Sequence, residues 1–365
     1  METLAIIVNY KAAALTIKAV RSILIADSLG SCRVVVVDNS ENSREENKLR
    51  SSLPEGVKLL VPSENLGFGR ACNLALEDFS GDFILLLNPD ARLLPGCLSR
   101  LQETLLEEEK MAAVGPQVFW DDGCNCYLPP PSTPFIFLFA PAIAELSPRA
   151  WMKRAMNRAW RYHAIKIWCS EAPTKSGNLS GGHVLLRRDA VEQSGGLFDP
   201  RFFLYFEDTD LFMRLRKAGY FLVFDTRAKV VHHYDQCVRH ETELKRQLFI
   251  DSHEKFRQKY LIGGKKWLYT LLQWVSGGVG KKPGLKKARF LPLPSGWRFQ
   301  PRRGRTGFLN GAPHPTLPPL PGCSAGENFW ILPLNIGTCW LRAATMVVWA
   351  VQGGCLRMFT RYPGR

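Results

Sequence analysis

No basic stretch precedes an apolar run at the start of this chain, which goes straight into METLAIIVNY without a cleavage-site pattern. A secretory leader is therefore not expected. Internal repeats are absent too, which excludes solenoids and propellers. The ten cysteines are scattered, and the one close pair, Cys124 and Cys126, is too tightly spaced for a zinc knuckle. They read as reduced cytosolic thiols and not as a disulfide framework. One long apolar run, 329–352, has the length of a bilayer span, but Pro333, Asn335 and Arg342 make it a costly one. The body of the chain also lacks a basic excess. Of the net charge of +15, residues Lys281–Arg365 supply +12, with thirteen Lys or Arg against the single acid Glu327. Residues 1–280 carry only about +3 and have no interleaved basic and aromatic repeat, so nucleic acid is not the expected partner. What remains, 46% hydrophobic and 22% charged residues over 365 positions, suits a large α/β domain with attachments, or two ordinary domains.

Residues 4–8 (LAIIV), 34–37 (VVVV), 58–61 (KLLV) and 83–87 (FILLL) are apolar runs without polar alternation, the pattern of strands covered on both faces. Helical spacing over Ala12–Ala26, Arg44–Leu53 and Gly69–Phe79 separates them, predicting right-handed crossovers and a mostly parallel sheet. Ligands bind such sheets at the carboxyl ends of the strands. Polar groups stand at those ends here: Asn9-Tyr10, Asp38-Asn39-Ser40, Ser63-Glu64-Asn65 and Asn88-Pro89-Asp90. Further on, Leu98–Met111 and residues 142–168 read as helical, with GCNCYLPPPSTP as a loop between them. Strands are expected at 183–187 and 220–224, and helices at 189–194 and 207–217.

Four constellations carry chemistry. Asp38 and Asp90 are strand-end carboxylates that suit a divalent cation, or a cation at one and a base or ribose contact at the other; two unrelated turn residues are the plain alternative. SENLGFGRACNLAL (63–76) opens a helix on glycines, with Arg70 adding charge. It suits an anion or a simple cap, and it lacks the third glycine of the dinucleotide fingerprint. FEDTDLFMRLRKAGY puts Glu207, Asp208 and Asp210 in the first turn of a helix, more acids than a cap requires, which points to a catalytic carboxylate. AKVVHHYDQ ends an apolar strand on His232 and His233, where imidazole can ligate a metal, contact a pyrophosphate or serve structure.

Together, IIVNYK (6–11), VVVVDNS (34–40), NLGFGRACNLAL (65–76), LLLNPDARL (85–93), SGGHVLLRRDAVEQSGGLFDPRFFLYFEDTDLFMRLRKAGY (180–220) and VVHH (230–233) resemble the GT-A-fold glycosyltransferases of family 2. The likeness is greatest to the rhamnosyltransferase-like branch, which builds bacterial surface polysaccharides. The resemblance implies that Tyr10, Asp38, Asn65 and Arg70 line the pocket of a nucleotide sugar. Asn88-Pro89-Asp90 falls on the family's D-x-D metal motif, with Asn88 in place of the first acid, so Mg2+ or Mn2+ would rest mainly on Asp90, aided by His232 or His233. Gly181 and Gly182, with Asn88, would lie along the donor sugar and acceptor. Glu207 and Asp208 match the acidic pair whose aspartate is the proposed general base.

The implied activity is inverting transfer of a sugar, from dTDP-rhamnose or a UDP-hexose or UDP-N-acetylhexosamine, to a lipid-linked or nascent glycan at the cytoplasmic face of a bacterial membrane. The expected division is a GT-A domain over 1–240, with a nucleotide-binding half (1–95) and an acceptor and catalytic half (96–240). A helical extension suited to a membrane surface follows at 241–280, then a basic Pro/Gly-rich tail at 281–365 that the resemblance does not reach and that is expected to be irregular. The reading of another class is a non-catalytic nucleotide- or nucleic-acid-binding protein, or a degenerate transferase serving as a scaffold.

Overall fold

A computed structural model describes residues 1–27, 32–124, 126–128, 167–168, 170–233 and 242–275, together with three short strands near the C-terminus. Its first half follows the apolar runs. Strands β1 (Thr3–Asn9), β2 (Cys32–Asp38), β3 (Lys58–Leu60) and β4 (Phe83–Leu87) alternate with helices α1 (Ala13–Ala26), α2 (Ser43–Ser52) and α3 (Gly67–Leu76). β1 pairs in parallel with both β2 and β4, and β2 with β3, giving the spatial order β3-β2-β1-β4. Every residue of β1 and β4 is buried, as two covered faces require. Alternate side chains serve the two faces: Leu4, Ile6 and Val8 pack with α3, while Ala5 and Ile7 pack with α1.

The second half departs more from expectation. After β5 (Ala91–Leu93), helix α4 spans Cys97–Leu106 and stops short of Met111, which begins the fully buried strand β6 (Met111–Phe119). Small residues and Pro116 disguise β6 in the sequence, because its text, MAAVGPQVF, has few β-branched residues. The proline is tolerated because its pairing with Asp225 is the last before a bulge, after which the register resumes at Gln117 and Lys229. Gly115 is closely approached, since a Cβ there would lie 2.9 Å from Leu179 Cδ2 and that side chain would have to shift.

Beyond β7 (Cys126–Tyr127) and β8 (Thr174–Ser176) come β9 (His183–Arg187), α5 (Arg188–Gln193), α6 (Glu207–Lys217) and β10 (Phe221–His232). The strand expected at 220–224 and the apolar run ending at His232 are one strand, joined through the bulge. β9 runs antiparallel between β4 and β6, and β10 runs parallel to β6. The helix expected over 142–168 lies outside the described residues except at 167–168.

Two helices follow, α7 (Thr242–Tyr260) and α8 (Gly263–Val275). A separate apolar cluster of Phe202, Phe206, Phe256, Leu261 and Tyr269 fastens them to the loop ahead of α6. Of the tail, the described residues are β11 (Asn328–Pro333), β12 (Met346–Gln352) and β13 (Cys355–Arg361), successively antiparallel, with β11 beside β7. The described parts of 329–352 are thus strands. No helix among the described residues is long and apolar enough to cross a membrane.

Candidate active site

Strand direction gathers the polar groups. β1 and β2 finish side by side, with Asn9 opposite Asp38. β9 is antiparallel, so it begins where β4 ends, with His183 opposite Leu87. The Ser180–Gly182 turn therefore arrives at the same edge of the sheet as Asn88 and Asp90.

Asp38, 2% exposed, is held by its neighbours. Asn9 donates through Nδ2 to Asp38 Oδ1 at 2.8 Å and to Ser40 Oγ at 3.0 Å, and the Ser40 N–H reaches the same Asp38 oxygen at 3.1 Å. Asn9 Oδ1 accepts from the Thr16 hydroxyl (2.7 Å) and the Ala12 N–H (3.3 Å), which satisfies the whole amide. Asn39 donates to the Gly67 carbonyl at 2.8 Å, and its own Oδ1 is buried without a hydrogen-bond partner among the described residues. Such a group calls for an explanation, and a ligand N–H at this edge supplies one.

Asn65 Oδ1 accepts from the Gly67 N–H at 2.9 Å, so Asn65 and Asn39 hold the two backbone polar groups of one residue at the start of α3. Gly67 has φ +74°, and a Cβ would lie 2.3 Å from the Phe203 carbonyl oxygen. That is the close approach its glycine permits. The Lys11 ammonium lies 4.7 Å from the centroid of the half-buried Tyr10 ring, and Arg70 stands at the surface 3.5 Å from Glu64.

The two glycines of 181–182 meet the chain's own side chains. A Cβ on Gly182 would fall 2.4 Å from Asn88 Nδ2, and one on Gly181 would fall 2.8 Å from Asp208 Cβ. The Asn88 N–H donates to the Gly182 carbonyl at 2.8 Å and the Gly181 N–H to Asp208 Oδ2 at 3.1 Å. One turn thus joins the D-x-D position to the acidic helix.

The three acids of α6 serve different ends. Asp210 is fully buried and neutralised by Arg214 (Nε to Oδ2, 2.8 Å) and Lys259 (Nζ to Oδ1, 2.5 Å), with the Tyr260 hydroxyl donating at 2.7 Å. It is an anchor for α7. Asp208 is half-buried, and its other oxygen accepts from the Thr209 N–H at 2.6 Å. Burial raises its pKa, and the N–H donors of Gly181 and Thr209 only partly oppose this. Glu207 is 7% exposed, and its Oε2 has no hydrogen-bond partner among the described residues. Burial first, and the Asp208 charge second, push its carboxyl up to about 8.

The paired histidines separate. His232 is buried with Nε2 3.0 Å from Asp90 Oδ1, whereas His233 turns to Asp122 at 3.0 Å, beside Arg92. The three-residue set of Asp90, His232 and His233 is therefore not assembled around one point. Successive side chains of an extended chain face opposite ways, so only one of two adjacent imidazoles meets the Asp90 carboxylate, while the His233 N–H donates to the Asp90 carbonyl at 3.1 Å. Among the described residues no three His, Cys, Asp or Glu groups form a metal cage. His183, absent from the sequence expectations, packs edge-on to His232 with ring centroids 5.5 Å apart. Burial, then the neighbouring His232, lowers its pKa to about 3, so it is neutral. One carboxylate with one imidazole beside it fits a Mg2+ or Mn2+ ion that takes its remaining oxygens from water and a diphosphate. Two open hollows lie away from this edge, one lined by Gly81, Asp82 and Arg188 and the other by Arg50, Pro54 and Leu59.

Asn9, Asn39 and His183 were not among the expected site residues. Asn9 and Asn39 had a visible signal, as amides at strand ends; His183 had none, since a histidine opening an apolar strand reads as core.

The model of the family described as Glycosyl transferase family 2 matches residues 4–193. Two curated relatives, the N-acetylglucosaminyl-diphospho-decaprenol L-rhamnosyltransferases of Mycobacterium tuberculosis strains CDC 1551 / Oshkosh and ATCC 25618 / H37Rv, are each 31% identical over 211 residues. The match takes in 55% of this chain and 66% of each relative, just under two thirds of their length. Among solved structures, a mannosyltransferase from Pyrobaculum calidifontis in complex with GDP-Man and Mn2+ is 17% identical, with a TM-score of 0.46 over 77% of this chain and 76% of that one. GalNAc-T7 with UDP, GalNAc and Mn2+ is 15% identical, with a TM-score of 0.45 over 75% of this chain and 57% of that one.

Proposed function

The chain belongs to glycosyl transferase family 2, and from that premise we propose that it is an inverting glycosyltransferase that moves rhamnose from dTDP-rhamnose to a lipid-linked glycan. The observation that carries the reading is Asp208: a half-buried residue without an ion-pair partner among the described residues, held by the Gly181 N–H at the edge where Asn88 and Asp90 stand. Its neighbour Asp210, three residues from Glu207, is neutralised by two cations, whereas none of the described cations pairs with Asp208. Burial raises the pKa of this carboxyl above its ordinary value, and a carboxylate of raised basicity is suited to take the proton of an attacking hydroxyl.

In this reading Asp38 and the orphaned Asn39 Oδ1 receive donors from the base or ribose, with Tyr10, Asn65 and Arg70 beside them. Asn88, Gly181 and Gly182 lie along the donor sugar. Glu207, whose carboxyl is pushed up to about 8, is mostly protonated at neutral pH and so adds little negative charge beside Asp208. Asp90, with His232 behind it, would hold Mg2+ or Mn2+, which supplies positive charge against the diphosphate leaving group. The acceptor oxygen attacks the anomeric carbon as the bond to the diphosphate breaks, and Asp208 takes the hydroxyl proton. No covalent enzyme intermediate is formed.

The choice of rhamnose and of a lipid-linked acceptor rests on the names of the mycobacterial relatives. It carries with it a role in cell-surface polysaccharide synthesis and a place at the inner face of a bacterial membrane. The test is release of nucleoside diphosphate from a panel of nucleotide sugars with Mn2+ or Mg2+, with and without a polyprenyl-diphosphate glycan. Release from dTDP-rhamnose that depends on acceptor is expected. Release from a UDP-sugar alone would retire the rhamnosyl assignment, and release from none would retire the activity.

A further inference from the structure

We propose that α8 is a membrane-docking face, and that it seats the protein on an anionic lipid surface through Trp267, Leu268 and Leu271. The inference rests on the proposed lipid-linked acceptor for its purpose, but its observations are independent of that reading. Trp267 is 67% exposed, Leu268 39% and Leu271 37%, and Ile262, just ahead of the helix, is 65% exposed. At 100° per residue the three helical side chains fall within one arc of about 100°. Tyr269 projects on the opposite side and is buried against Phe202, Phe206 and Phe256. The helix is thus fixed by one side and presents an apolar stripe on the other.

The chemistry of the stripe selects its partner. Exposed Lys265 and Lys266 flank it in the first helical turns, where acidic residues are absent. Tryptophan beside leucine, with lysines at the margin, is the composition of a helix lying in the headgroup region, where apolar burial and attraction to anionic lipid add.

The face is also rigidly connected to the acidic turn. Lys259 bridges Asp199 (2.7 Å) and Asp210 (2.5 Å), Tyr260 donates to Asp210, and Ser252 donates to the Leu204 carbonyl at 2.7 Å. Arg257 lies over the Tyr269 ring at 4.5 Å. A bilayer bound by α8 would therefore hold Asp208 at a set height, as a membrane-embedded acceptor requires.

The test is cosedimentation of the full-length protein with vesicles of phosphatidylcholine alone and of equimolar phosphatidylcholine and phosphatidylglycerol. It is read at low salt and at high salt, where the attraction of the basic tail is screened. The wild-type protein is expected to pellet with the anionic vesicles and to stay partly bound at high salt. The W267E/L271E variant should bind them at least about tenfold more weakly, with unchanged circular dichroism and thermal midpoint. Equal binding by wild type and variant overturns the proposal. So does absence of vesicle binding, or a change in oligomeric state on substitution, which would make the stripe a contact between copies. Nucleoside diphosphate release in detergent should be the same for both proteins. If release is missing from both while binding behaves as expected, the transferase reading fails and the docking face stands.

Discussion

The strand ends of the first half and the acidic turn of the second treat carboxylates in opposite ways. Asp38 sits in a network prepared in advance, where Asn9 and Ser40 both donate to a single oxygen and Asn9 is itself fully satisfied. Glu207 and Asp208 are adjacent acids with no cation paired to either among the described residues, and burial raises the pKa of both. The first arrangement fixes a shape. The second stores an unfavourable environment that a proton relieves, which is what general-base chemistry uses. Asp210 lies within the same turn as that pair yet belongs with the first kind, because two cations and a phenol complete it.

The comparison is broken most directly at Asp208. Asp208→Asn keeps an acceptor for the Gly181 N–H but removes the proposed base, so nucleoside diphosphate release should fall by about 10²–10⁴-fold with the fold intact. A loss no larger than that of a surface substitution would place the base elsewhere. Asp210→Asn should do the reverse. Leaving Lys259 and Arg214 without their buried partner costs about 3–5 kcal/mol in urea unfolding, while the molecules that remain folded should retain most of their activity.

Glu207 separates the two regions by pH. Its native carboxyl keeps a proton up to about 8, whereas the unfolded chain releases it near 4.5. Its contribution to stability is therefore complete below about 4.5 and is lost as pH rises through about 8. Glu207→Gln should flatten that part of the stability curve, measured by denaturant unfolding from pH 5 to 9; an unchanged slope would show that the proton resides elsewhere. The smallest effect is expected at Asn9. Asn9→Ala should cost about 1–3 kcal/mol, because Asp38 and Thr16 lose a buried partner, and should raise the KM for the nucleotide sugar with little change in kcat.

The apolar runs of β1, β2 and β4 were legible because strands covered on both faces need no periodicity to be recognised. β6 was not. Its Ala, Gly and Pro fit a crowded position between β9 and β10, and that crowding is invisible until the neighbours are in place. At the site, the candidate acids and both glycines were identifiable by type. What the glycines touch was not, because Gly181 and Asp208 lie in separate segments.

The amino-acid sequence alone determined where the β1–β4 strands fall, the polar group that ends each of them, and the cluster of acids opening α6, because these are local properties of neighbouring residues. Tertiary structure decided which acids are neutralised and which histidine meets the Asp90 carboxylate. His232 meets Asp90 across 142 positions, and Lys259 reaches Asp210 from another helix. Such partners are set by strand order, bulges and helix docking, so the charge state of each acid, and with it the chemistry available to it, is a property of the assembled fold.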